Sequence, residues 1–66
     1  MTFQVGQLVE CVLPEAELKA EVYVVLRSYK RPMGFEHVFV GDLFTHEPIS
    51  VHGWVVDRFR AITLGS

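Results

Sequence analysis

Residues 53–60 read Gly-Trp-Val-Val-Asp-Arg-Phe-Arg, and this stretch decides the fold. We predict that Trp54 ends a strand, that residues 56–59 form one tight turn, and that Phe59 enters the core beneath Trp54. An arginine flanks Phe59 on each side, so the aromatic ring points inward while both guanidinium groups reach water. Each buried aromatic removes roughly 150–250 Å² from water, which makes these two rings a large share of a small core.

The chain has 66 residues, of which 50% are hydrophobic and 21% are charged. This length predicts one domain, spanning residues 1–66, that buries only about 60% of its unfolded surface. Disordered chains are poor in apolar residues, whereas five Phe, two Tyr and one Trp are enough for a small core. The composition therefore indicates a folded globular domain, with the final Gly-Ser, residues 65–66, interpreted as a cloning remnant.

Composition also limits where in the cell the protein is expected and which kinds of chemistry and binding it can support. No apolar run approaches the roughly 18 residues of a membrane helix, and no signal-peptide pattern opens the chain, so we expect a cytoplasmic protein without a membrane partner. Cys11 is the only cysteine, which favours a small buried hydrophobe over a nucleophile. The net charge of −2 argues against general nucleic-acid affinity.

Short β-rich runs alternate with turn signals along the chain. The first run, residues 8–13, places Val9, Cys11 and Leu13 on one apolar face, which we assign to the core, and a proline stops it. The second run, residues 22–29, has strong strand propensity. The alternation of its odd- and even-numbered side chains does not determine which face of the strand points into the core along the whole length. A strongly bent strand would bury members of both faces.

The remaining segments complete an all-β pattern. Residues 15–21 are too short for an independent helix and indicate a long first loop with a helical turn, anchored by Leu18. Pro32 and Gly34 predict a turn within residues 30–35. The other predicted segments are a third strand at residues 36–40, a turn at Gly41-Asp42, a loop at residues 43–51 with a short edge segment at residues 49–51, a fourth strand at residues 52–56 and a fifth strand at residues 60–64.

Five short strands with a long first loop predict an all-β barrel or sandwich. The order Val-Gly-Gln-Leu-Val-Glu-Cys-Val, a long loop, Val-Tyr-Val-Val-Leu, a short strand and Gly-Trp-Val-Val-Asp-Arg-Phe-Arg resembles the small SH3-like barrel proteins of bacteriophages and prophages. The resemblance spans residues 5–62. It implies a small five-stranded SH3-like barrel with a one-turn 3-10 helix before the last strand. The sequence departs from the family at residues 43–51, which are longer and more apolar than the usual Asp- and Gly-rich turn.

Catalytic and metal-ligating patterns are weak in this sequence. His37, His46 and His52 lack the spacing of a metal site, and no glycine loop for phosphates is present. We therefore expect no metal, no cofactor and no enzymatic activity. Plasmid-borne type II dihydrofolate reductases resemble this size and barrel class, but their pore-lining motif, Val-Gln-Ile-Tyr, does not occur here.

Residues 43–51 are unusually apolar for a loop. Their side chains either fold back and cap the barrel or form an exposed patch for a partner or for self-association into a homo-oligomer. The primary hypothesis is a non-catalytic, phage- or prophage-encoded protein-interaction module that binds a host or viral protein, because aromatic anchors dominate interface energetics. The apolar loop residues are Leu43, Phe44, Ile49 and Val51, and the candidate anchors are Phe35, Phe44 and Trp54.

The alternative function is single-stranded nucleic-acid binding through a local basic and aromatic patch. Bases stack on aromatic rings while phosphates meet arginine and lysine. The competing interpretation is an ordinary solvated turn whose charges are balanced by Glu36 and Asp57. The candidate residues are Tyr29, Lys30 and Arg31 with Arg27 and Phe35 beside them, joined by Arg58 and Arg60 if the fold brings the two segments together.

Overall fold

The computed structural model describes residues 2–62, which fold as one antiparallel sheet. The strands are β1 (Leu8–Cys11), β2 (Val22–Lys30), β3 (Glu36–Asp42), β4 (Trp54–Val55) and β5 (Phe59–Ala61). Their order in the sheet is β4-β3-β2-β1-β5, and a 3-10 turn, Val56–Arg58, joins β4 to β5. The all-β prediction is therefore confirmed.

The two edge strands of the sheet, β4 and β5, are not hydrogen-bonded to each other within residues 2–62. The described pairings run from β4 through β3, β2 and β1 to β5 and stop there. The sheet is therefore not closed into a barrel by a ladder.

The stretch at residues 53–60 folds largely as its pattern predicts. Trp54 begins a two-residue strand instead of ending one, the tight turn covers Val56–Arg58 rather than residues 56–59, and Phe59 is buried at the start of β5. Phe59 and Trp54 belong to the same buried cluster, as predicted, but the ring that Phe59 meets edge-on is that of Tyr23, with centroids 6.4 Å apart. The reason is that β5 pairs with β1, while Trp54 lies across the sheet opposite Val38.

The boundaries of the last two strands also differ from their predicted ones. The fourth strand covers Trp54–Val55 rather than residues 52–56, and the fifth begins at Phe59 rather than at residue 60. The predicted end of the fifth strand, at residue 64, lies outside the described residues, as does the Gly-Ser pair.

The core face of β1 is partly as predicted. Val9 and Cys11 are buried, which confirms Cys11 as a buried residue. Leu13 was assigned to the same face, but its side chain is 52% exposed. The strand ends at Cys11, so the alternation of strand side chains no longer applies two residues later.

The second strand buries residues of both parities. Tyr23, Val24 and Val25 are all buried. The register with β3 shifts between Val25 and Arg27, where the ladder carries a bulge. A bulge adds one residue to one strand and increases its local twist, so the faces exchange parity there. Burial of members of both faces is therefore confirmed, with Val24 buried opposite Gly41 before the bulge.

The third strand continues through Gly41 and Asp42, where the pattern predicted a turn. Gly41 pairs with Val24 inside the ladder. A Cβ atom at Gly41 would lie 2.8 Å from Leu26 Cδ1 and 3.0 Å from the Glu47 carbonyl oxygen. Gly41 therefore permits a close approach between strand and loop rather than ending the strand.

The long first loop contains no helical turn. Glu15 and Leu18 exchange backbone hydrogen bonds of 2.8 and 2.9 Å across a tight turn. Leu18 is fully buried, as its predicted role of anchor requires, and Phe3 enters the core from the N-terminal segment. The buried cluster comprises Phe3, Val9, Cys11, Leu18, Tyr23, Val25, Val38, Val40, Trp54 and Phe59.

Candidate functional site

The segment after β3 forms a tight hairpin before it leaves the sheet. Asp42 N–H donates to the Glu47 carbonyl and His46 N–H donates to the Asp42 carbonyl, both at 2.9 Å. Ile49 N–H then donates to the Val40 carbonyl at 3.0 Å, so the chain returns along β3. The edge segment predicted at residues 49–51 is therefore found at Pro48 and Ile49 instead.

The Asp42 carboxylate organises this hairpin. Its Oδ2 atom accepts hydrogen bonds from the backbone N–H groups of Phe44 and Thr45, both at 2.8 Å. These bonds, the one from Thr45 above all, hold the pKa of the Asp42 carboxyl below its usual value. The turn leaves the Phe44 ring 88% exposed. Phe44 is thus presented to solvent by a defined turn.

Acidification is expected to release this turn. A carboxyl group with a lowered pKa in the folded state contributes stability above its unfolded pKa of about 3.9, and the contribution is lost as the pH falls through the folded pKa. We expect the amide proton signals of Phe44 and Thr45 to shift together in an acid NMR titration. Asp42→Asn keeps an acceptor oxygen without a titrating proton, so its two amides should stay constant. Equal shifts in both proteins would contradict this role of Asp42.

Residues 50–53 leave the sheet between Ile49 and Trp54. The ladder resumes where Trp54 pairs with Val38, so this excursion lies opposite Phe39. Val51 is 98% exposed, and the His52 ring lies against Trp54 with centroids 4.8 Å apart. Residues 50–53 therefore expose the Val51 side chain and place the His52 ring over the Trp54 ring.

The apolar residues of 43–51 divide between packing on the core and exposure to solvent. Ile49 packs against the buried core, as a capping residue would. Phe44 and Val51 instead face solvent on either side of it. Residues of the first loop, Glu17 among them, complete the surface around Ile49.

Two adjoining depressions lie at this surface and share Glu17 and Ile49 in their walls. The larger has a volume of about 680 Å³ and the smaller about 360 Å³. We call the combined surface the acidic depression. It is defined by the apolar residues Phe39, Phe44, Pro48, Ile49 and Val51 and the carboxylates Glu17, Glu21 and Asp42.

Charge is unevenly distributed over the molecule. Three of the six basic residues lie within residues 27–31, whereas residues 10–21 and 42–57 contain seven of the eight acidic ones. Lys19 is the cation in the wall of the acidic depression. Apolar side chains and carboxylates therefore meet at one end of the β2–β3 ladder, and cations collect at the other.

The structure separates the three predicted aromatic anchors. Phe44 borders the acidic depression, and Phe35 is 71% exposed in the turn between β2 and β3. These two lie beyond opposite ends of β3, which are about 20 Å apart at roughly 3.3 Å per residue. Trp54 is 7% exposed and belongs to the core, so its prediction as a contact residue is wrong.

The predicted basic patch is also divided. Lys30 and Arg31 are exposed beside the half-buried Tyr29. Arg58 lies far from them, because β5 pairs with β1 near the beginning of β2. Its guanidinium donates to the Leu13 carbonyl at 2.8 Å and pairs with Glu15 at 3.0 Å. Arg60 likewise pairs with Glu10. Arg58 therefore contacts the first loop, and Arg60 contacts β1.

An aromatic strip on the outer face of β2 and β3 joins Tyr29 and Arg27 of the predicted patch to His37 and Phe39, which the sequence prediction did not include. Tyr29 stacks on His37 and contacts Phe39, each with ring centroids 5.5 Å apart, and Arg27 lies 5.9 Å from the Tyr29 centroid. The two-residue spacing of positions 27 and 29 and of positions 37 and 39 places these side chains on one face once β2 and β3 are paired, with Arg27 opposite Phe39 and Tyr29 opposite His37. A Cβ atom at Gly53 would lie 2.7 Å from the Tyr29 hydroxyl oxygen, so glycine lets the excursion pass close to the strip.

Two remaining features of residues 2–62 are the histidines and the capacity to span a membrane. His37, His46 and His52 join no group of three or more metal-ligating side chains there. No helix in that range has the length and apolar character needed to cross a membrane.

The chain matches no protein-family model, no curated protein and no solved structure.

Proposed function

We propose that this chain is a non-catalytic protein-interaction module whose acidic depression binds an apolar, positively charged segment of a partner protein. The observation that carries the proposal is the exposure of Phe44 and Val51, at 88% and 98%, beside a concave apolar surface rimmed by carboxylates. Contiguous exposed apolar surface with a polar rim is typical of interaction sites. An aromatic side chain at its border supplies the kind of anchor that dominates binding energy.

The rim selects the charge of the partner. Glu17, Glu21 and Asp42 outnumber Lys19 in the walls of the acidic depression. Complementary charges accelerate association and disfavour wrong partners more than they raise affinity. A partner with lysine or arginine beside its apolar anchor is therefore favoured, and its association rate should fall as salt is added.

We further propose that the fold is an SH3-like barrel and that the protein is phage- or prophage-encoded and acts on a host or viral protein in the host cytoplasm. The strand order β4-β3-β2-β1-β5, with a 3-10 turn between β4 and β5, supports the barrel assignment. The remaining parts of this assignment rest on the sequence resemblance of residues 5–62.

Affinity capture from bacterial lysate tests the interaction function. We expect immobilised wild type and Val5→Ser to recover the same partner in equal amounts, since Val5 is 71% exposed outside the depression. Phe44→Ser should recover at least about tenfold less, the effect of losing an anchoring aromatic. The purified partner should reproduce this ranking by calorimetry. Equal capture by Phe44→Ser, or no specific partner for wild type, would remove the proposal.

A second candidate function is single-stranded nucleic-acid binding at the aromatic strip. The specific observation in its favour is Arg27 above the Tyr29 ring, close to the exposed Lys30 and Arg31. Titration of labelled single-stranded DNA and RNA at two salt concentrations tests it, since phosphate contacts weaken steeply with salt. Arg31→Ala should lower both the affinity and the salt dependence. An affinity weaker than about 10⁻⁴ M at physiological salt would exclude this candidate.

A further inference from the structure

The turn between β2 and β3 exposes a second apolar surface, and this one is basic. Met33 is 98% exposed and Phe35 71% exposed, next to the exposed Lys30 and Arg31. Gly34 N–H donates to the Arg31 carbonyl at 3.3 Å, which closes the turn. We call this surface the basic tip. It carries the combination of apolar anchor and cations that the acidic depression is proposed to select.

The basic tip cannot reach the depression of its own chain. The β2–β3 ladder runs from the pair Tyr23 and Asp42, in the wall of the depression, to the pair Lys30 and Glu36 at the tip. This span is about 20 Å along β3 at roughly 3.3 Å per residue, in a molecule whose longest dimension is 35 Å. Any contact between the two surfaces must therefore join different copies of the chain.

We propose that the basic tip of one copy inserts into the acidic depression of the next, so that the chain associates head to tail. This inference rests on the proposed function, since it assigns a second copy of the chain as an occupant of the same site. Charge complementarity carries it: Lys30 and Arg31 approach a rim of carboxylates, while Met33 and Phe35 meet an apolar floor.

The geometry determines the form of the assembly. The contact joins two different surfaces, so it is heterologous, and each added copy leaves one tip and one depression free. Such contacts generate rings or open chains rather than a single symmetric dimer. One turn inserted into one depression forms a small interface, and interfaces below about 1,200 Å² are weak and transient. Association should therefore depend on protein concentration and be favoured at low salt.

Two variants with one damaged surface each provide the test. Met33→Ser/Phe35→Ser removes the apolar part of the tip, and Phe44→Ser/Val51→Ser removes that of the depression. All four side chains are at least 71% exposed, so both variants should keep the wild-type thermal melt. Sedimentation velocity at about 0.01 M salt, where charges interact over about 30 Å, then reports the mass of each sample.

We expect wild type to grow beyond the dimer as its concentration rises, and each variant alone to remain monomeric. The equimolar mixture of the two variants should form a species limited to the dimer, because it offers one intact tip and one intact depression. About 1 M salt, with a screening length of about 3 Å, should return wild type to the monomer. A monomeric wild type, association of either variant alone, or a monomeric mixture would overturn the inference.

The failure of this inference is distinguishable from failure of the proposed function. If wild type stays monomeric while Phe44→Ser loses the captured partner, the depression binds a different protein and the second copy is excluded. If Phe44→Ser/Val51→Ser still associates and still captures the partner, both proposals are wrong.

Discussion

Replacing Phe59 by Ala is expected to leave the chain largely unfolded or poorly soluble. The Phe59 side chain is 6% exposed and packs edge-on against Tyr23 within the main buried cluster. Removing a buried Phe typically costs roughly 3–5 kcal/mol. Small domains hold about 5–15 kcal/mol in total, and a short chain lies near the low end. One substitution therefore removes a large part of the free energy of unfolding.

The flanking arginines serve as controls for Phe59. Arg58→Ala and Arg60→Ala each remove a partly exposed ion pair, with Glu15 and Glu10 respectively, and such pairs contribute about 0–1 kcal/mol. We expect both variants to fold. Urea melts of the three proteins compare their midpoints directly. If Phe59→Ala keeps the wild-type midpoint, the assignment of Phe59 to the core is wrong.

Leu18→Ala is expected to have the second largest effect, about 2–5 kcal/mol, because it opens a cavity beneath the first loop. Leu18 is fully buried, although its sequence neighbours are exposed. It is also adjacent to Glu17, which both parts of the acidic depression share. The substitution should therefore weaken the fold and disturb the proposed binding surface together.

Leu13→Ala is the matched control, since the same change is made in the same loop at a side chain that is 52% exposed. Surface substitutions usually change stability by less than about 0.5 kcal/mol. Thermal and urea unfolding of the two variants should therefore differ clearly. Similar losses for both would indicate that Leu18 is not the anchor of the loop.

Local patterns were sufficient to predict much of the fold. A short β-rich run predicts a strand whether or not its neighbours are known, and a lone leucine in a polar loop predicts an anchor, as Leu18 shows. The partner of Phe59 could not be predicted in this way. Which ring meets Phe59 depends on β5 pairing with β1, a long-range pairing that no local pattern specifies.

The surfaces were harder to predict than the core. Gly41-Asp42 has the composition of a turn, yet the chain turns a few residues later because the Asp42 carboxylate caps the amides of Phe44 and Thr45. That shift determines where Phe44 points. The contacts of Arg58 depend on the fold of the distant first loop. Local sequence patterns therefore do not predict that Arg58 lies far from the basic tip.

Site-specific photocrosslinking tests the central claim, that the acidic depression is the surface that binds a partner protein. The side chains at positions 44, 35 and 5 are at least 71% exposed, so each accepts p-benzoylphenylalanine without disturbing the core. After irradiation in bacterial cells, we expect position 44 to yield an adduct with another protein. Position 35 should yield at most an adduct of twice the chain's own mass, and position 5 none. Crosslinking to another protein from position 35 alone would contradict the account.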